Sequence, residues 1–193
     1  MNIFALDSNP KLAAQYHVDK HVVKMILESC QLLSTAHRLL DGEFFVGKTH
    51  TGRNIKRWNL PDPSLNDFIY SATHVNHPSA IWCRDNISQY LWLAHLTKEL
   101  CIEYTYRYGK THKCEQIGLV NWFLNNVPKN IKLNDSFVLP TPAMPDDCKV
   151  AGDVVTSYRK YYFNHKQRMH SWCGKIKNRD VPYWISDTSL KNV

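Results

Sequence analysis

The sequence predicts an all-α fold, a compact single-domain helical bundle joined by long irregular connections. Three observations predict it. Apolar residues recur at helical spacing through several long stretches, helix-opening and helix-closing signals bracket those stretches, and no segment requires a strand. The chain has 193 residues, a length that one domain with a sizeable core accommodates. We read one domain over 1–193, with a helical core over 1–125 and a proline-rich covering segment, a helix and a basic-aromatic tail over 126–193.

Taken in order, Asn9-Pro10 places an Asn cap before proline at a first helical position, opening a short helix to about Tyr16. Asp19 reads as the cap of a longer helix to about Leu40, ended by Asp41-Gly42. At about 100° per residue, Val22, Val23, Ile26, Cys30, Leu33 and Leu40 share one side of it. His21, Lys24, Glu28, Gln31 and Thr35 gather on another side, within an arc of about 80°. Residues 41–75, with the basic run Arg53-Asn54-Ile55-Lys56-Arg57 and Pro61-Asp62-Pro63, read as a long loop with a short helix around Leu65 to Ser71. Asn76-His77-Pro78 opens a helical region that reaches Tyr108 and stops at Gly109, with Asp85 dividing it. A helix over about Glu115 to Asn125 follows, then irregular chain through Pro128, Pro140, Pro142 and Pro145. A last helix spans about Val150 to His165. Phe44-Phe45-Val46 and Ser136 to Leu139 are each compatible with a short strand, though none is needed.

Composition narrows the function classes. No apolar run approaches the roughly 18 to 20 residues of a membrane helix, and Met1 to Leu6 is too short for a signal peptide, so a soluble, cytoplasmic protein is expected. The six cysteines form no C-x-x-C pair and are expected as reduced thiols. His17 and His21 lack a third ligand, and His112 with Cys114 is an isolated pair. No metal and no cofactor is expected. P-loop, dinucleotide-binding, zincin and serine-hydrolase signatures are absent. The formal charge of +7 and pI near 9.1 point to an anionic partner. Aromatics interleaved with bases, as in Tyr104 to Tyr108 and Tyr158-Arg159-Lys160-Tyr161-Tyr162, point to nucleic acid, which offers phosphates to the charges and base faces to the rings.

The stripe on the second helix is the candidate chemical site. A carboxylate sharing a helical face with a histidine and a lysine can do acid–base work, and a sheltered lysine can act as a nucleophile. The same spacing also suits a solvated face with Lys24–Glu28 ion pairing. Spacing alone leaves both readings open.

Several residues together resemble the pyrimidine-dimer DNA glycosylase superfamily: Asp19-Lys20-His21-Val22-Val23-Lys24 with Glu28, then Asn76-His77-Pro78 with Trp82, then Glu103 to Arg107 and Tyr108-Gly109. The likeness spans about residues 1–114, and weakly the Tyr158–Tyr162 segment. It implies a compact helical enzyme on double-stranded DNA, needing no metal, in which an amine attacks the sugar C1′ of a damaged nucleotide and the imine formed permits strand cleavage. By position, Glu28 would be the family's essential glutamate and His21 a contact to DNA or to the reacting sugar. The family's founding phage enzyme uses the α-amine of a small second residue exposed by methionine removal. Residue 2 here is Asn, so the candidate amines are those of Met1, Lys20 and Lys24. Leu27 stands where the family has arginine.

The nucleic-acid-binding candidates are His77, Asn76, Arg107, Lys110, Arg159, Lys160 and Tyr161. His77 also suits a helix cap, Arg107 and Lys110 read as phosphate contacts, and Trp172 and Trp184 read as rings that could stack on bases. The leading functional expectation is a DNA glycosylase/AP-lyase-like enzyme. A base-modifying enzyme using the same cleft and a non-catalytic nucleic-acid-binding protein are the alternatives.

Overall fold

The computed structural model describes residues 1–134 and 136–186. Helix α1 spans Pro10–Tyr16, its first-turn amides capped by the Asn9 side chain, and helix α2 spans Asp19–Asp41. Capping of α2 differs from the expectation. Val18 holds the cap position without a side-chain bond, and Asp19 is the first helical residue. Its carboxylate is thereby released for tertiary bonds, accepting from Arg107 Nη1 at 2.9 Å and from Ser171 Oγ at 2.6 Å.

The all-α expectation is corrected by an antiparallel hairpin, β1 (Glu43–Lys48) with β2 (Asn54–Asn59), so the fold is mainly helical with a small β element. It occupies what the sequence reading took for loop. The reason is local. Phe44, Phe45 and Val46 are strand formers, and register sets Phe44 opposite Trp58 with ring centroids 5.3 Å apart. Tertiary bonding then fixes its base. The buried Arg38 donates to Trp58 O at 2.9 Å, to Tyr70 O at 3.2 Å, to Ile69 O at 3.1 Å and to both Asn66 oxygens. Residues Ser136 to Leu139 form no strand; their carbonyls instead accept from Asn86 Nδ2 and Trp82 Nε1.

Helix α3 (Pro63–Phe68) follows the hairpin. The region opened by Asn76-His77-Pro78 is two helices, α4 (Pro78–Cys83) and α5 (Ile87–Tyr108), with Asn86 capping the second. Gly109 ends α5 in the left-handed region at φ 64°, where a side chain would be strained. The expected Glu115–Asn125 helix is broken in two, α6 (Lys113–Gln116) and α7 (Leu119–Asn125), because Gly118 between them also sits at φ 79°. Helix α8 spans Val154–His165.

Helices α2 and α5 pack along each other, with α1 and α7 against α5. Ile26, Leu33, Tyr90, Leu93 and Leu100 lie in the buried centre. Two later coverings matter for the site. The N-terminal segment threads through the interior, with Ile3, Ala5 and Leu6 no more than 1% exposed. Helix α8 closes over it: Tyr158 and Tyr162 are fully buried. No helix among the described residues is long and apolar enough to cross a membrane.

Candidate active site

The N-terminal half of the α2 stripe opens into a hollow of about 270 Å³ lined by Met1, Asn2, Phe4, His21, Lys24, Met25, Glu28, Ala143, Tyr161 and Lys166. Glu28 is its centre. The Met1 amine lies 3.8 Å from Glu28 Oε2, the Asn2 amide donates to the same oxygen at 3.3 Å, and Lys24 Nζ pairs with Oε1 at 3.0 Å one helical turn away. The carboxylate thus draws the chain's first amine and a lysine to its two oxygens.

The start of the chain is held firmly. Asn2 Nδ2 donates to Ala143 O at 2.8 Å, and Asn2 Oδ1 accepts from the Tyr158 hydroxyl at 2.8 Å. The Met1 side chain is only 3% exposed and packs against the core. These bonds set the amine's position to within the play of one residue. They come from α8 and the proline-rich segment, more than 140 residues along the chain.

His21 lines the hollow from α2. Its ring stacks on Phe4 at 4.4 Å and its Nδ1 bonds the Tyr162 hydroxyl at 2.6 Å. Burial, with lesser contributions from His17, Lys166 and Lys24, pushes its pKa down to about 3. The imidazole is therefore neutral near pH 7 and forms part of the wall. His17 behind it is likewise pushed to about 4, chiefly by burial. Lys20, one of the candidate amines, points to solvent and does not line the hollow. The far end of the stripe is also closed: Thr35 is buried, its hydroxyl accepting from Thr73 N–H.

His77 caps α4 through Nδ1, which accepts from Ser79 N–H at 3.2 Å. Its pKa is lowered first by burial and then by the nearby N-terminal amine and His74, while Glu28 acts in the opposite sense. The geometry is that of a helix cap, and His77 is not among the residues that line the Glu28 hollow. Asn76 beside it is exposed.

Two arginines expected on DNA are corrected. Arg107 is fully buried and uses all three nitrogens of its guanidinium, donating to Glu103, Asp19, His17 O and Gln15 O at 2.6 to 2.9 Å. Glu103, also buried, takes Arg179 Nη2 at 2.9 Å on its other oxygen. This network stitches the tail to α1, α2 and α5. Arg159 donates to Leu6 O and pairs with Asp7 at 3.2 Å while its guanidinium lies over Tyr16, Tyr183 and Trp184. Trp172 and Trp184, expected as stacking rings, are buried at 4% and 1% exposure.

Lys110 is exposed and Tyr161 half-buried. Tyr161 edges the Glu28 hollow with Lys166 Nζ 4.5 Å above its ring. Lys110 lines a second hollow with Val23, Tyr104, Tyr108 and Lys175. Val23 and Lys24, adjacent and exposed on α2, line one hollow each. Lys160 is half-buried and lies outside both hollows. Sequence reasoning missed Asn2, Phe4, Met25, Ala143 and Lys166. Only Lys166 carried a signal, as the base that follows α8; nothing in the local pattern of the others marks them.

No protein-family model, no curated protein and no solved structure matches this chain.

Proposed function

We propose that the protein is a DNA glycosylase/AP-lyase-like enzyme on double-stranded DNA, with the Met1 α-amine as nucleophile and Glu28 as its acid–base partner. The observation that carries this reading is the placement of the chain's first amine 3.8 Å from a carboxylate inside a polar hollow edged by Lys24, Lys166 and Tyr161. A sequence pattern resembling the pyrimidine-dimer glycosylases supports it from an independent direction, because the spacing from His21 to Glu28 matches that of the family's histidine and essential glutamate.

The chemistry follows from that pair. The amine must be neutral to attack, and Glu28 is the base within reach of its proton. Attack forms the N–C1′ bond as the base leaves with its electron pair and a proton. Opening of the sugar ring then sends a proton to O4′ and leaves a C1′=N imine. With C1′ so activated, Glu28 removes a C2′ proton, the electron pair forms C2′=C3′, and the 3′ phosphate departs. Lys24 and Lys166 supply positive charge for the flanking phosphates, and Tyr161 offers a ring face to a displaced base. Reaching C1′ requires the nucleotide to leave the stack.

The test is borohydride trapping on a duplex with a single abasic site, which needs no knowledge of the natural lesion. A covalent adduct that maps to Met1, and that falls at least 100-fold in Glu28→Gln without loss of fold, is the expected result. No adduct, or an undiminished adduct in Glu28→Gln, overturns the lyase reading. An adduct that maps to Lys20 or Lys24 overturns the choice of nucleophile.

A further inference from the structure

A short turn over Asp146–Cys148 packs against α8 and meets its last residue, His165. There one oxygen of Asp147, Cys148 Sγ and a ring nitrogen of His165 all lie within 4.8 Å of one another. His165 Nε2 already meets Asp147 Oδ2 at 2.8 Å. Cys148 is buried, whereas Asp147 and His165 open to solvent. Asp146 next door is separately paired with Lys149 at 2.7 Å, so it does not compete for the same space. Among the described residues this is the one group of three or more His, Cys, Asp or Glu side chains with such mutual spacing.

We infer that Asp147, Cys148 and His165 form a binding site for a single Zn²⁺ ion, with the fourth position open to water. The donor set is the argument. A thiolate, an imidazole and a carboxylate suit a borderline-soft, tetrahedral cation and do not suit Mg²⁺ or Ca²⁺, which take oxygen. Bonds of about 2.0 to 2.3 Å place tetrahedral ligand atoms about 3.4 to 3.6 Å apart. The Asp147–His165 pair must open by roughly 0.6 Å, and the distances to the thiol must close by up to about 1.2 Å, which the exposed Asp147 and His165 side chains allow by moving towards the buried Cys148. Binding replaces the Cys148 S–H proton by the metal and releases one proton to solvent.

The site's place in the fold gives it a purpose. Cys148 ends the proline-rich segment whose Ala143 carbonyl accepts from Asn2 Nδ2. His165 lies between Tyr161 and Lys166, which line the hollow. An ion here fastens the covering segment to the helix end bearing those two residues. The inference is independent of the lyase reading and would stand if that reading failed.

The test is titration of reduced, chelator-stripped full-length protein with Co²⁺, a spectroscopic stand-in for zinc. One equivalent is expected to give a thiolate-to-cobalt band in the near ultraviolet with tetrahedral d–d bands in the visible, both displaced by Zn²⁺. The near-ultraviolet band is expected to vanish in Cys148→Ser. Asp147→Asn and His165→Gln alter exposed side chains, and each is expected to weaken Co²⁺ binding at least 10-fold. Absence of the thiolate band, its survival in Cys148→Ser, or unchanged affinity in both Asp147→Asn and His165→Gln overturns the site.

Discussion

Three buried histidines make the fold sensitive to mild acid. His17, His21 and His37 are at most 6% exposed, and burial lowers their pKa values from 6.5 to about 4, 3 and 4. A group whose folded pKa lies below its unfolded value binds protons first in the unfolded chain. Stability is therefore full above about pH 6.5 and is lost as pH falls towards the folded values. At pH 5 each unfolded imidazole has gained a proton that its folded counterpart refuses, a difference of about 2 kcal/mol per residue and about 5 to 6 kcal/mol for the three. That is a large part of the 5 to 15 kcal/mol typical of a domain. The assay is urea unfolding followed by circular dichroism at pH 7 and pH 5, where carboxylates remain ionised and contribute little. The midpoint is expected to drop steeply. His37→Gln separates the pH term from any loss of the His37–Tyr90 bond, 2.8 Å in the parent. Whatever its absolute stability, about a third of the pH dependence should disappear. A midpoint that is level between the two pH values, or a slope unchanged in His37→Gln, refutes the reasoning.

The other expectations concern charge. Arg107→Lys removes the fork that satisfies Glu103, Asp19 and two carbonyls, leaving buried acceptors unmet. A stability loss of about 3 to 5 kcal/mol is expected in chemical unfolding, and a protein of parental stability with weakened DNA binding would mean that the arginine is a phosphate contact after all. Extending the chain by two residues ahead of Met1 moves the reactive amine out of reach of Glu28. The borohydride adduct should fall at least 100-fold while duplex affinity stays within about threefold, and undiminished trapping would exclude the N-terminal amine. The β1–β2 hairpin carries Lys48, Arg53, Lys56 and Arg57 with exposed Phe44 and Val46. If those cations meet DNA, replacing Lys48, Lys56 and Arg57 by alanine lowers the slope of log affinity against log salt by nearly one per charge; an unaltered slope removes the hairpin from the interface.

Local rules account for what was legible in the chain. Asn9 before Pro10, His77 before Pro78 and Gly109 after Tyr108 act on backbone groups a few residues away, so the ends of α1, α4 and α5 could be read without tertiary knowledge. The hairpin escaped because Phe44 to Val46 and Ile55 to Trp58 are separated by a polar stretch that also suits a loop. What holds its base is Arg38, a buried cation on α2 whose reach to Asn66, Tyr70 and Trp58 no pattern announces. Basic and aromatic residues in the tail signalled an anionic partner, yet Arg159 and Arg179 spend their charge on Asp7 and Glu103. Composition counts charges and is blind to which of them have partners inside.

By itself the sequence determined that His21, Lys24 and Glu28 share one side of a long helix, since 100° per residue is a property of the backbone. It could not say what lies over that side. The tertiary structure decided this, setting Phe4 and Tyr162 on His21, leaving Lys24 at the surface and bringing Met1 to Glu28. The physical reason is that a helical repeat fixes angles about one axis. Burial and reach depend on segments up to 156 residues distant, whose positions follow from packing the whole chain around one core.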